Sequence, residues 1–140
     1  MSKLARQRAT YADLLKLPPE LRGEIIDGDL YAMPRPAKPH IRVASSLGGE
    51  LYSPFQRGRG GPGGWWIFHE PEVHLGDDIL VPDLAGWKFE SLKEDPDAKF
   101  FTTPPDWVCE VLSPSTASID RIKKWRVYEF NEVQWMWLVD

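Results

Sequence analysis

Short blocks of apolar residues separated by turn residues run along the chain, and their spacing predicts a mixture of helices and strands. Within residues 40–52 the apolar positions recur at helical spacing. In chain order, we predict a short helix ending before residue 18, a hairpin around residues 27–28, a helix over 40–52, strands over 65–75 (with a kink at Pro71), 79–87 and 107–112, a helix over 118–130 and a strand over 133–139. This order predicts a mixed α/β domain with a central sheet flanked by helices.

Local turn signals support the first of these elements. Thr10 followed by Asp13 is typical of a capped helix start. The pair Asp27-Gly28 lies between two apolar stretches and indicates a two-residue hairpin, because such turns need positive φ at both central residues. Residues 88–105 are predicted to be a polar connection, too rich in charge and proline to belong to the core.

Length and composition limit the class of protein. With 140 residues, the chain fits a single domain over 1–140. Its one cysteine, Cys109, excludes an intramolecular disulfide and a zinc site built on several cysteines. Because no apolar run reaches the roughly 18 residues of a membrane span and no secretory signal is recognisable, we expect a soluble cytoplasmic protein with no membrane partner.

Charge is distributed unevenly along the chain. The first 62 residues are net basic and the remainder is net acidic, within an overall charge of −4. A basic half could face a polyanion and an acidic half could hold a cation, but ordinary surface variation explains the asymmetry as well. The net acidity argues against tight non-specific binding to nucleic acid.

Two carboxylates lie where apolar residues are expected. Glu110 is in the middle of the apolar run 107–112, and burying an unpaired carboxylate there would cost several kcal/mol. Asp83 follows Pro82 at the end of another apolar stretch. Two carboxylates from neighbouring strands are a natural site for Mg²⁺, which can activate water for attack on a phosphodiester. Lys123 and Lys124, on the following helix, are candidates for stabilising the transition state.

Each of these residues also has a purely structural interpretation. Glu110 could form a buried ion pair, and Asp83 could cap a turn. Lys124 lies four residues after Asp120, which is the spacing of a surface salt bridge on a helix. The three residues together are more specific than any one of them, although the spacing alone is a weak pattern.

Several segments, in order along the chain, resemble the Uma-two family of restriction endonucleases. The matching segments are EIIDGDLY (24–31), PH (39–40), VPDL (81–84), EVLSPST (110–116), DRIKK with a later tyrosine (120–124 and 128) and WLVD (137–140). The resemblance implies a restriction-endonuclease-like fold of the PD-(D/E)XK nuclease superfamily, with an N-terminal helix and β-hairpin. The family usually continues beyond WLVD with further strands, so we expect a domain that lacks them.

The resemblance also implies roles for five residues of this chain. Asp83 and Glu110 would bind Mg²⁺ (or Mn²⁺). Lys124 would support the attacking water, since the usual lysine position of the superfamily's ExK element is not lysine here. Glu24 would be a further acidic residue at the site, and His40 would lie near it.

The expected function is therefore a Mg²⁺-dependent endonuclease that hydrolyses phosphodiester bonds in nucleic acid, with DNA preferred. The alternative is a catalytically inactive nuclease-fold domain that binds nucleic acid or protein. A third hypothesis is a structural subunit whose last strand is completed by a partner, for example in a homodimer.

Overall fold

The computed structural model describes residues 7–113 and 119–140, which form three helices, eight strands and one π-helical turn. The helices are α1 (Tyr11–Leu15), α2 (Lys38–Leu51) and α3 (Ile119–Phe130), and the π-helical turn Tyr52–Gln56 continues α2. The strands are β1 (Leu21–Ile26), β2 (Asp29–Pro34), β3 (Trp65–His69), β4 (Val73–Leu75), β5 (Asp78–Leu80), β6 (Leu84–Lys88), β7 (Trp107–Val111) and β8 (Trp135–Val139). The predicted mixed α/β fold, with its N-terminal helix and hairpin, is confirmed.

The strands are divided between two four-stranded sheets rather than gathered in one. The first sheet has the order β2-β1-β5-β4, and its pairs are antiparallel. The second has the order β3-β6-β7-β8, in which β7 and β8 are parallel and the other pairs antiparallel. Because β8 pairs only with β7 among the described strands, it forms an edge of the second sheet.

Two of the predicted strands are each broken at a proline, and the pieces belong to different sheets. The strand predicted over 65–75 separates into β3 and β4 around Glu70, whose φ is 48°, and Pro71. The strand predicted over 79–87 separates into β5 and β6 around Pro82. Proline has no backbone N–H to donate to a neighbouring strand. At each of these two prolines, the chain therefore leaves one sheet and enters the other. The second break leaves Asp83 between the two sheets.

The N-terminal elements form as their turn residues predict. Thr10 and Asp13 make the reciprocal hydrogen bonds of a capping box at the start of α1. Asp27 and Gly28 have φ values of 51° and 80°, as a primed two-residue turn requires, and β1 pairs with β2 along its whole length. This pairing fixes the register of Glu24, which lies opposite Tyr31.

The two faces of the second sheet are covered by different helices. Trp107 and Cys109 pack with Leu47 and Leu51 of α2. Val108 packs in the main core with Tyr128 of α3. Since side chains alternate along a strand, Glu110 belongs to the face that α3 covers.

No helix within the described ranges is long and apolar enough to cross a membrane.

The prediction that residues 88–105 stay out of the core is wrong. Phe101 is only 3% exposed and packs against Phe68 and Trp87. The backbone of Phe101 also exchanges hydrogen bonds with residues 72 and 74 next to β4. Leu92 and Ala98 also pack against this core, and Thr103 is buried, so several residues anchor the connection.

A stability prediction follows from Glu94, whose carboxylate holds this connection by accepting hydrogen bonds from Thr102 and Thr103. Partial burial alone would raise its pKa, but these bonds lower the pKa to about 2. A carboxyl with a lowered pKa stabilises the fold above its unfolded pKa of 4.5, and the stabilisation is lost as the pH falls toward 2. We expect Glu94→Gln to cost about 1 kcal/mol at neutral pH, allowing for solvent screening.

Urea unfolding of wild type and Glu94→Gln at a series of pH values measures this difference, with Glu90→Gln, at an exposed position, as the control. The difference between wild type and Glu94→Gln should shrink as the pH is lowered below 4.5. A difference that is absent at neutral pH, or one that grows in acid, would contradict the assignment.

Candidate active site

A cavity of about 280 Å³ opens where the ends of β1, β7 and α3 meet. It is lined by all five residues that the sequence singled out: Glu24, His40, Asp83, Glu110 and Lys124. These residues are up to 100 positions apart in the chain, and the two sheets and two longer helices bring them together. The cavity is therefore the candidate active site.

Lys124 lies between two carboxylates. Its Nζ is 2.8 Å from Glu24 Oε2 and 2.7 Å from Glu110 Oε1. The side chain is 7% exposed, and burial alone would lower its pKa, but the charges of the two glutamates raise the pKa above its usual value. Lys124 is therefore a fixed cation inside the cavity. The adjacent candidate, Lys123, instead donates to the hydroxyl of Tyr31, so the structure distinguishes the two lysines.

Glu24 lines the cavity, but its side chain is almost fully buried. Its side chain is 1% exposed, and the same oxygen that pairs with Lys124 also accepts a hydrogen bond from the Val81 amide, at 2.8 Å. The register of the hairpin and the interruption between β5 and β6 together place this carboxylate beside Lys124. Glu24 can thus hold and orient the lysine, which makes it a positioning residue.

Glu110 is the more accessible of the two glutamates. Its side chain is 16% exposed, and its Oε1 accepts a hydrogen bond from the Tyr128 hydroxyl at 2.7 Å in addition to the ion pair with Lys124. Burial raises the pKa of Glu110, and the charges of Asp83 and Glu24 raise it further, whereas Lys124 lowers it. These charges act on Glu110 because Lys124, Asp83 and Glu24 line the same cavity.

Asp83 is held from three directions at the break between the sheets. Its Oδ2 accepts a hydrogen bond from the Val111 amide at 2.7 Å and lies 3.3 Å from His40 Nε2. The same His40 nitrogen is 2.9 Å from the Val111 carbonyl oxygen. Arg22 NH1 is 3.7 Å from Oδ1, beyond hydrogen-bond reach. Oδ1 is buried and has no hydrogen-bond partner among the described residues.

Asp83 and Glu110 supply the kind of oxygen ligand that a hard divalent cation takes. Asp83 Oδ1 accepts no hydrogen bond from a described residue, although Arg22 NH1 lies 3.7 Å from it, and Glu110 lines the cavity. Within the described ranges there is no cluster of three or more histidine, cysteine or acidic residues arranged to hold a metal. A two-carboxylate set suits Mg²⁺ or Mn²⁺, since Mg²⁺ keeps several waters and takes one or two protein carboxylates. It does not suit zinc, which takes three or four protein ligands.

The structure adds two residues to the site. Tyr128, the tyrosine of the DRIKK segment, packs in the core, and its hydroxyl donates to Glu110. Arg22 was not singled out, yet it pairs with Glu70 at 2.9 Å and lies beside Asp83. The sequence spacing could have indicated both residues. Tyr128 is one helical turn after Lys124, and Arg22 is two strand positions before Glu24, so each points to the same side as a site residue.

Two of the structural alternatives can be compared with these contacts. The buried ion pair expected of Glu110 exists, and its partner is Lys124. Lys124 is occupied by Glu24 and Glu110, whereas the side chain of Asp120, the alternative partner, lies outside the part of the chain that the structure describes. The end of the EVLSPST segment and the predicted first helical residue, Ser118, also fall outside it.

Comparisons with known proteins identify a family and a similar solved structure. The family model described as "Putative restriction endonuclease" (Uma2) matches residues 9–140. A crystal structure of a putative nuclease belonging to DUF820, from Anabaena variabilis, is similar with a TM-score of 0.79 and 26% sequence identity. The similarity covers 94% of this chain and 74% of that one. A search of curated proteins found no match.

Proposed function

The chain belongs to the Uma2 family of putative restriction endonucleases, and from this premise we propose that it is a Mg²⁺- or Mn²⁺-dependent endonuclease. Its reaction would be hydrolysis of phosphodiester bonds in nucleic acid, with DNA the preferred substrate. The family and the similar putative nuclease support a nuclease role. The metal, the DNA substrate and the residue roles are parts of the proposal.

One observation carries the proposal: a buried lysine is fixed beside a cavity-facing glutamate. Lys124 and Glu110 are 2.7 Å apart, and Asp83 is anchored to the amide of the residue that follows Glu110. A purely structural ion pair needs neither a second carboxylate with an oxygen that accepts no hydrogen bond nor a cavity beside it. The arrangement thus combines acidic ligands, a cation and space for a substrate group.

Asp83 and Glu110 would hold the metal, which would supply a water of lowered pKa and a positive charge on the phosphodiester oxygens. The Val111 amide and His40 keep the Asp83 carboxylate in one orientation. Tyr128 does the same for Glu110. Such supporting contacts set the position and basicity of metal ligands.

Lys124 would place a positive charge where negative charge develops on the phosphorus oxygens. A preorganised cation in a water-poor cavity stabilises a transition state by several kcal/mol. Glu24 holds the ammonium group at 2.8 Å, so the cation is in position before a substrate arrives. Positioning of this kind avoids the cost of reorganisation during the reaction.

The proposal is tested by incubating the protein with labelled single-stranded DNA, duplex DNA and RNA in Mg²⁺, Mn²⁺ or EDTA. We expect cleavage with either metal and none in EDTA, with at least one DNA substrate cut faster than RNA. Asp83→Asn protein purified in the same way serves as the blank for contaminating nucleases.

Cleavage that continues in EDTA, or equal cleavage by Asp83→Asn, would refute the metal-dependent assignment. Nucleic-acid binding without cleavage of any of these substrates would support the inactive binding module instead.

A further inference from the structure

A second cavity, of about 260 Å³, lies on the other face of the second sheet. The pairing of β7 with β8 places Trp107 opposite Trp135 and Cys109 opposite Trp137, on the face away from Glu110. We call this cavity the tryptophan pocket. The aromatic side chains that line it are Phe55, Trp65, Trp107, Trp135 and Trp137. Trp135 and Trp137 are 41% and 44% exposed, so the pocket is open to solvent.

The tryptophan pocket has a cation beside it. Lys88 Nζ lies 5.4 Å from the ring centroid of Trp135 and 5.9 Å from that of Trp65. A purely aliphatic occupant would gain nothing from the lysine. A flat aromatic ring joined to an anionic group would use both the tryptophan rings and the lysine.

The tryptophan pocket and the candidate active site lie on opposite faces of the second sheet and share one residue, Trp137. Trp137 belongs to the edge strand β8 and is next to Leu138, which lies opposite Glu110. A long ligand that passes over this edge would reach both the tryptophan pocket and the cavity that holds the carboxylates and Lys124.

We propose that the tryptophan pocket binds one unpaired base of the nucleic-acid substrate by stacking, with Lys88 facing the adjoining phosphate. This inference rests on the proposed nuclease function and adds to it the class of substrate. Bases stack on aromatic side chains without regard to sequence. In a duplex the bases are already stacked inside the helix, and one must be turned out before it can enter a pocket. The substrate is therefore a single strand or a locally unpaired strand.

The test measures binding by fluorescence anisotropy in EDTA, so that metal and cleavage play no part. The probes are a labelled single strand of about 15 nucleotides, its blunt duplex, and the same strand with abasic positions. We expect wild type to bind the single strand about tenfold more tightly than either of the other probes. Trp135→Ala should bind the single strand about tenfold more weakly and the duplex with unchanged affinity.

Two further variants separate the pocket from general surface effects. Phe130→Ala removes an aromatic ring that is 86% exposed and does not line the pocket, so its affinities should equal those of wild type. Lys88→Gln keeps every pocket ring and should bind the single strand a few-fold more weakly, with a shallower salt dependence. It also tests the proposal independently if Trp135→Ala fails to fold.

Equal affinity of wild type for single strand and duplex, or unchanged single-strand binding by both pocket variants, would overturn the inference. A wild-type dimer in light scattering that dissociates in Trp135→Ala would overturn it too, because a second copy would then be the occupant. Duplex cleavage without single-strand preference would refute only this inference. Single-strand binding without metal-dependent cleavage would refute only the proposed nuclease activity.

Discussion

Replacing Lys124 with methionine should abolish metal-dependent cleavage and lower the free energy of unfolding by about 3–5 kcal/mol. The methionine fills most of the space but leaves Glu24 and Glu110 without their shared cation. Glu24 is 1% exposed, so water cannot replace the lysine there. Breaking a buried ion pair by removing one partner costs this much because the remaining charge stays buried.

Chemical denaturation of wild type and Lys124→Met measures the loss of stability, and the cleavage assay measures the loss of activity. Lys123→Met is the matched control, since it removes the same charge from the neighbouring position, where the amine contacts Tyr31 instead. We expect Lys123→Met to keep its cleavage rate. If Lys124→Met were as stable and as active as Lys123→Met, the role given to Lys124 would be wrong.

Replacing Glu110 with glutamine should reduce cleavage at least about a hundredfold while the fold is retained. The side-chain amide keeps the shape of the carboxylate, and its oxygen can still accept from Tyr128 and Lys124. Lys124 also keeps Glu24 as a charged partner. The neutral amide, however, is a poor ligand for Mg²⁺, which prefers charged oxygen.

Initial rates of cleavage in Mn²⁺ and circular dichroism of both proteins check this expectation. Glu72→Gln is the control, because the Glu72 carboxylate pairs with Tyr11 and His74, away from the cavity. A folded Glu110→Gln protein that cleaves at the wild-type rate would show that the reaction does not need this carboxylate. Loss of the fold in Glu110→Gln would instead indicate that Glu110 is mainly structural.

The site carboxylates could be found from the sequence because they interrupt or end runs of apolar residues. A glutamate inside the run 107–112 and an aspartate after Pro82 are costly to bury, and this cost marks them as partners in an electrostatic cluster. The resemblance added Glu24 and His40, and all of these residues line one cavity together with Lys124.

The contacts between residues far apart in the sequence could not be predicted from the sequence pattern. Spacing along a helix does not distinguish Lys123 from Lys124 until the position of β1 against α3 is known. The ion pair between Arg22 and Glu70 joins residues 48 positions apart, and it depends on the break that separates β3 from β4. Long-range placement of charged side chains is a property of the packed fold rather than of local pattern.

The fold itself was predicted well in its local elements and less well in its sheets. The capping box and the hairpin are fixed by a few neighbouring residues, so local chemistry determines them. The division into two sheets depends on how the chain turns at Pro71 and Pro82. Proline signals a break in a strand but does not say which sheet the next strand will join. The connection 88–105 shows the same limit, since Phe101, Leu92 and Ala98 are scattered among polar residues and form no periodic pattern, yet they pack in or against the core.

Calorimetric titration of Mn²⁺ would show whether Asp83 and Glu110 form a site for a divalent cation. Wild type, Asp83→Asn, Glu110→Gln and the control Glu72→Gln would be titrated under one set of conditions, after circular dichroism confirms that each is folded. We expect one binding event in wild type and in Glu72→Gln, and its loss in both site variants. Absence of binding in folded wild-type protein, or equal binding by the two site variants, would contradict this expectation.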